Sequence, residues 1–581
     1  MCLPRLGDGW PGAGRVWLGR GRTGQTRYHT LQQAFRTPLE RWRKSLRPCR
    51  RKEFMPRALP CFLTCLPALV LAATIPVCAA VAQSTPATPP PSAQTPEKRI
   101  TPDQAQELFK SVDALLHFAS STTGLEIKSP VKRALSSRAE VEAYLQDKLN
   151  DDKDAKRMEQ SEVVLKKFGL LDRDFQLRPF LMELLKEQIA GYYDPKTKTV
   201  YILNWVDPET QKPVLVHELT HALQDQRVHL ESWSDQTPED VSHNASEDNE
   251  HLARDEMDTA RDAVTEGQAM AVFVNYALRP SGQTLLTAPE IVQKMEDQMN
   301  STADSPVLAR APLLLSQSLI FPYQEGLGFT QDLWMDKGRD AAFAGALDHP
   351  PSSSWEVMNP RYYEQHRQPP VLLMPNIHPL VDARYRPIDI GQIGQLDLRI
   401  LATLYGGASA ARKLTPAWDG GIYWAGQLRS ATAQQQSQTG SVALLYLSAW
   451  TSAAAARVFA SLEARELALK YDNARPIPQQ DGDDRVYSTS EGMVLIRIQD
   501  RMVFVAESFE LDTARKLAEL LLGAQGAGEM RMAGEAAPRG AGSTDAIPAR
   551  AVMAPTLSAP FAHFFASCGW MKAALPQVGA R

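Results

Sequence analysis

Cysteine is scarce. Six residues in 581 are Cys, five of them lie at or before position 78, and only Cys568 lies beyond. Nothing after residue 82 can therefore close an intramolecular disulfide, and no Cys-x-x-Cys pair occurs anywhere. Stability must come from packing, and any metal site must be built from His and carboxylates. An excess of positive charge is also missing. Lys and Arg number 63 against 67 Asp and Glu, giving a net charge of −4 and a pI near 6.3. That balance excludes a dedicated nucleic-acid binder, which needs basic groups to neutralise phosphates. What remains is 44% hydrophobic and 22% charged, a globular composition long enough for two or three domains.

The charge is unevenly spread. Residues 1–54 carry eleven Arg and two Lys against Asp8, Glu40 and Glu53. After Met55-Pro56-Arg57 no charged residue appears until Glu97, Leu59–Val77 is apolar, and Ala80-Val81-Ala82 precedes Gln83. A basic start, an apolar middle and small residues at −3 and −1 predict a secretory signal peptide over 55–82. Pro60, Pro67 and Pro76 interrupt the run and argue against a retained membrane anchor. Ile75-Pro76-Val77-Cys78 is a poor lipoprotein box. Because a signal peptide works from the N-terminus, Met55 is expected to be the true start and residues 1–54 a misassigned upstream extension. The G-x-G-x-x-G match at Gly19–Gly24 is dismissed, as no strand–turn–helix unit surrounds it.

Residues 83–97 hold five prolines and read as an extended linker. Thr101-Pro102-Asp103-Gln104 resembles a capping box, and helical patterns follow at 137–150, 154–168 and 176–190. At Gly191 the period changes. Tyr192-Tyr193, a turn at Asp194–Thr197, and Thr199–Leu203 predict a β-hairpin. A helix is expected to start near Pro213. Residues 229–256, with nine acidic side chains, read mostly as a solvated excursion. A long helix over about 252–278 comes next, then helical sequence over 284–347 and a Pro-rich connection over 348–385. Between 415 and 523 the class changes: a strand at Ser441–Trp450, an Ala-rich helix, three strands, and an amphipathic helix closing at Gly523. Residues 524–581 are rich in Ala, Gly and Pro and are expected to be disordered.

The chemistry concentrates in Val214–Leu223, where His217-Glu218-Leu219-Thr220-His221 reads H-E-x-x-H on an apolar-periodic helix. Residues four apart share a helix face, so both imidazoles can reach one Zn²⁺ at about 2.0–2.1 Å. Glu218 is rotated by about 100° from His217, beside a water at the metal but not a ligand. A base in that place is what metal-assisted hydrolysis requires. A third ligand is needed. The metzincin pattern fails, because Gln224 and Arg227 stand where Gly and His belong. His229, His243, His251, Glu247, Glu250 and Glu256 are all chemically able, but they sit in polar sequence. Glu266 sits among Ala263, Val264, Gly267, Ala269 and Met270, where a buried carboxylate needs a partner such as a metal, and it is the preferred ligand. Gly267 is expected to permit close approach of the H-E-x-x-H helix.

H-E-x-x-H followed by Glu-Gly-x-Ala in a second helix resembles the gluzincin zinc metallopeptidases. Ala-Gly-Tyr-Tyr-Asp-Pro-Lys-Thr ahead of His-Glu-Leu-Thr-His-Ala-Leu-Gln-Asp-Gln looks like a poorly characterised exported bacterial family of that type. The resemblance covers 176–280. It implies Zn²⁺ held by His217, His221 and Glu266, Glu218 as general base, and an edge strand that pairs with extended substrate. Many gluzincins read E-x-x-x-D at the third ligand, whereas position 270 here is Met. The carboxylate that orients a ligand His would then be Asp262 or Asp225. For an oxyanion stabiliser the sequence offers only Tyr276, His349, Tyr362, Tyr363 and His366.

The expectation is an α+β protein. A mainly helical, gluzincin-like catalytic domain with an edge β-hairpin spans 98–385 (core 176–280), and a small α+β module spans 415–523. Its function would be hydrolysis of peptide bonds in a peptide or protein substrate, outside the cytoplasm (periplasmic or secreted), through a metal-activated water, with no nucleic-acid partner and no membrane anchor after signal cleavage. The alternatives are a non-catalytic zinc-binding assembly or binding protein, and a zinc hydrolase of another amide or ester.

Overall fold

Thr101 opens the described chain as a helix cap. The computed structural model describes residues 99–525, apart from 152, 235–243, 301–304 and 479–483, together with 557–567 and 570–571. The expected upstream extension, signal peptide and linker lie outside these residues. In α1 (Pro102–Thr123) the Thr101 hydroxyl accepts from Gln104 N at 3.2 Å while Gln104 Oε1 accepts from Thr101 N at 2.8 Å, the reciprocal capping box. β1 (Lys132–Ser136), α2 (Arg138–Asp151), α3 (Lys153–Phe168) and α4 (Leu177–Gln188) follow. The hairpin is β2 (Ile189–Asp194) and β3 (Thr199–Leu203), and Asp194 ties its turn by accepting from Lys196 N and the Thr197 hydroxyl.

The motif helix is α5 (Pro208–Val228). It starts five residues before the expected Pro213, because Asp207 caps Glu209 N and Pro208 takes the first position. Pro213 is accommodated inside it. The stretch expected to be solvated contains α6 (Ala245–Arg254), and Asp248, His251, Asp255 and Glu256 are buried. Their partners arrive from far along the chain: Gln392 N donates to Asp255 and the Ser354 hydroxyl to Glu256. The expected long helix is consequently broken at Asp255-Glu256, and α7 runs Met257–Leu278. After it come α8 (Glu290–Met299), α9 (Leu313–Lys337) and a π-helical turn at Ala341–Gly345.

β4 (Tyr385–Gln392), α10 (Gln395–Leu414), β5 (Trp418–Leu428), β6 (Val442–Trp450), α11 (Ala453–Lys470), β7 (Arg475–Ile477), β8 (Arg485–Thr489), β9 (Gly492–Gln499), β10 (Met502–Phe509) and α12 (Leu511–Ala524) complete the sheet region. Its seven strands run in the order β4-β5-β6-β10-β9-β8-β7. The sheet thus begins at 385 rather than 415. β4 and β5 were hidden by Gly and Pro, which weaken a strand pattern. Alternation along β6 serves two cores: Leu444 and Tyr446 join the large core with α11, Leu445 and Leu447 a smaller one with α12.

The tail is a correction. Among residues 524–581, α13 (Ala559–Ser567) and β11 (Trp570–Met571) are ordered elements. Leu557, Phe561, Phe564 and Phe565 are buried in the large core, their helical spacing masked by the composition around them. β11 also corrects the expected edge hairpin. The small sheet runs β1-β3-β2-β11, so β2 is covered on both sides. No helix among the described residues is long and apolar enough to cross a membrane.

Candidate metal centre

Packing brings α7 against α5. Because α7 carries five Ala and Gly267, it is buried on almost every side, and Glu266 is carried with it into the interior. His217 Nε2 lies 3.0 Å from Glu266 Oε2, His221 Nε2 lies 3.5 Å from the same oxygen, and the two imidazole Nε2 atoms are 2.9 Å apart. Ligands at about 2.0–2.1 Å around a tetrahedral ion stand about 3.3 Å from one another. The triangle therefore fits a small divalent ion, and the three residues form a group able to hold one metal. Two imidazoles and one carboxylate are also the donor set of catalytic zinc sites.

Electrostatics points the same way. Burial pushes His217 down to about 3, despite the pull of Glu266. Burial lowers His221 too, but the Glu266 and Glu218 carboxylates outweigh it and hold that ring up to about 9. Glu266 is raised by burial and drawn down more strongly by both imidazoles, to about 2. Three ionisable side chains are thus held in a dry site by one another, an arrangement that a cation would relieve by taking both lone pairs and the carboxylate.

The imidazole partners differ from expectation. Gln224 Oε1 accepts from His221 Nδ1 at 2.8 Å, so Nε2 is the nitrogen that would give up its proton to bind a metal. Gln224 is itself oriented, since its Nε2 donates to Thr265 O at 3.0 Å and to Gln268 Oε1 at 2.9 Å. Gln268 in turn donates to the carbonyls of Ala342 and Phe343 in the π-helical turn, each at 2.9 Å. His217 faces the Ala269 carbonyl. Asp225 serves the hairpin instead, accepting from the Tyr193 hydroxyl and from Lys198 Nζ, each at 2.7 Å. Asp262 acts on Arg261. The signal for Gln224 was present, one turn beyond His221 on the same helix, but a neutral amide is not where an orienting group is first sought.

Glu218 is buried at 1% exposure. β2 crosses α5 above it: a Cβ on Gly191 would lie 3.7 Å from Glu218 Oε1 and 2.8 Å from Val214 Cγ1. Of the rival ligands, His251 is buried beside Asp255, 3.6 Å away, and His229 terminates α5 in the left-handed conformation. His243 lies outside the described residues. Contacts are seen for three of the oxyanion candidates. Tyr276 packs on Phe118, Tyr362 stacks on Trp355, and the Tyr363 hydroxyl donates to the His349 carbonyl. Gly267 is also reassigned, since a Cβ there would strike Gly326 O of α9 at 2.0 Å rather than meet the motif helix. No family model, curated protein or solved structure matches this chain.

Proposed function

We propose that this protein is an exported zinc-dependent peptidase of the kind its motif resembles. The observation that supports this most is the triangle of His217 Nε2, His221 Nε2 and Glu266 Oε2, with sides of 2.9 to 3.5 Å, beside the buried carboxylate of Glu218. His217, His221 and Glu266 would hold the ion, which when bound supplies a Lewis acid for the scissile carbonyl and makes water more acidic. Glu218 would take a proton from the attacking water onto its carboxylate and pass it to the leaving amine. Burial serves that step by keeping bulk water from competing for the carboxylate.

Glu218→Gln tests the reading. The variant should retain one zinc per chain while turnover of a mixed peptide library falls by about 10²-fold or more. Unchanged turnover would remove Glu218 from the mechanism. If zinc stays bound in both proteins and neither cleaves any peptide, the non-catalytic binding role takes its place, and cleavage of esters or other amides alone would identify the other hydrolase. Export is proposed on the apolar run and the Ala80-Val81-Ala82 site. N-terminal sequencing of exported material should read from Gln83, and a stable exported form still carrying residues 1–54 would overturn it.

A further inference from the structure

The strand that overlies Glu218 is paired with a guest from the far end of the chain. Trp570–Met571 runs antiparallel to β2, with Trp570 opposite Gly191 and Met571 opposite Ile189. Gly191 is the residue pressed against Val214 and Glu218. Paired strands lie about 4.8 Å apart, so the backbone at 570 passes one strand spacing from the residue that touches the candidate base. β11 also contacts α5 itself. Just before it, α13 packs on α3, α7 and α9, and α7 is the helix that carries Glu266. Phe561, Phe564 and Phe565 are wholly withdrawn from solvent there. Ser558 N anchors the start of the segment by donating to buried Asp397 at 2.8 Å.

This is how a polypeptide ligand is held: main-chain pairing along an open strand, with side chains sunk into an adjoining apolar cleft. We propose that the groove between β2 and α5, continued by the cleft between α3, α7 and α9, is a polypeptide-binding site, and that residues 557–567 and Trp570-Met571 are its internal occupants. The full chain then holds its own site closed. A ligand able to displace the segment must share its chemistry: extended backbone to pair with β2 and closely spaced aromatic side chains for the cleft. Thirty-one residues, 526–556, separate Gln525 from the segment in sequence. Only the effect on turnover rests on the peptidase reading.

Two truncations of the zinc-loaded protein test this, one ending at Ser567 and one at Thr556. The chain ending at Ser567 keeps Phe561, Phe564 and Phe565 of α13 and removes the strand on β2 together with residues 568, 569 and 572–581. If the segment fills the site nine-tenths of the time, its loss should lower KM for an aromatic-rich peptide about tenfold and leave kcat unchanged. Amide exchange over Ile189–Asp194 should quicken in the same protein. A synthetic peptide of residues 557–581 should bind the chain ending at Thr556 and compete with substrate. The proposal is overturned if KM and exchange are unchanged in the chain ending at Ser567 and the peptide does not bind the shorter one. Should the shorter chain fail to fold, the chain ending at Ser567 decides alone. If exchange quickens and the peptide binds but no form cleaves peptides, the site stands and the peptidase reading falls.

Discussion

Glu266 is the residue on which the metal reading turns, because it is the one donor that does not come from the motif helix. Glu266→Gln replaces an anionic ligand with a neutral one and should weaken zinc binding at least about tenfold, or about 1.4 kcal/mol. Glu247→Gln, in the polar stretch before it, should change nothing. Isothermal titration with zinc reads both. Gln224 acts through His221, and its loss should be felt at the metal without any change of ligand. Gln224→Ala is expected to weaken zinc binding about tenfold, whereas Asp225→Asn should leave zinc alone and loosen the hairpin that Asp225 ties through Tyr193 and Lys198. Equal losses in the two variants would mean that the amide has no special part in orienting His221.

At the scale of elements, the centre depends on how closely α7 can lie against its neighbours. Gly267 and Gly326 form the crossing of α7 with α9: a Cβ on the first meets Gly326 O at 2.0 Å, and one on the second meets Ala263 O at 2.1 Å. Backbone cannot step aside as a side-chain tip can. Gly267→Ala should therefore destabilise the protein by about 3 kcal/mol, the upper end for an overpacked core. Gly523 is the control. It lies inside α12 with open space around it and no left-handed backbone, so Gly523→Ala should stabilise by up to about 1 kcal/mol. Denaturant midpoints at constant slope measure both, and a mild Gly267→Ala would show that the two helices can separate without harm.

Taken whole, the molecule buries several carboxyl groups outside the metal centre. Burial raises Glu256 to about 8, against the Ser354 hydrogen bond. Burial raises Asp397 to about 7 and Glu466 to about 7, the latter against Lys470. An acid whose folded pKa lies above its unfolded value keeps a proton that the unfolded chain releases. Its contribution is complete below the unfolded pKa near 4 and is lost as pH rises through 7 to 8. Between about pH 5.5 and about pH 8.5 the zinc-loaded wild type should accordingly lose more melting temperature, or gain less, than zinc-loaded Asp397→Asn, a comparison in which the zinc-bound imidazoles contribute equally. Asp397→Asn keeps an acceptor for Ser558 N and should flatten part of that slope. Equal dependence on pH in the two proteins would contradict the burial of Asp397.

Much of this was readable because local signals act over one or two turns. H-E-x-x-H at i and i+4 sets two imidazoles on one helix face whatever surrounds them. The capping box at Thr101, the hairpin around Asp194–Thr197 and the strands from Val442 to Phe509 are likewise decided by neighbours in sequence. Apolar surroundings singled out Glu266, since a carboxylate among Ala, Val and Met must find a partner. Tertiary structure decided what depends on distant partners. Asp255 and Glu256 read as solvated charges until Gln392 and Ser354 are brought to them. Gly267 read as a contact for α5 until α9 was seen to cross there. The aromatic residues of α13 were diluted by Ala, Gly and Pro, and only the cleft between α3, α7 and α9 turns them into core. Covering β2 with Trp570–Met571 joins residues almost four hundred positions apart. No local pattern encodes such a pairing, because its free energy comes from burial and hydrogen bonds that exist only once both surfaces have formed.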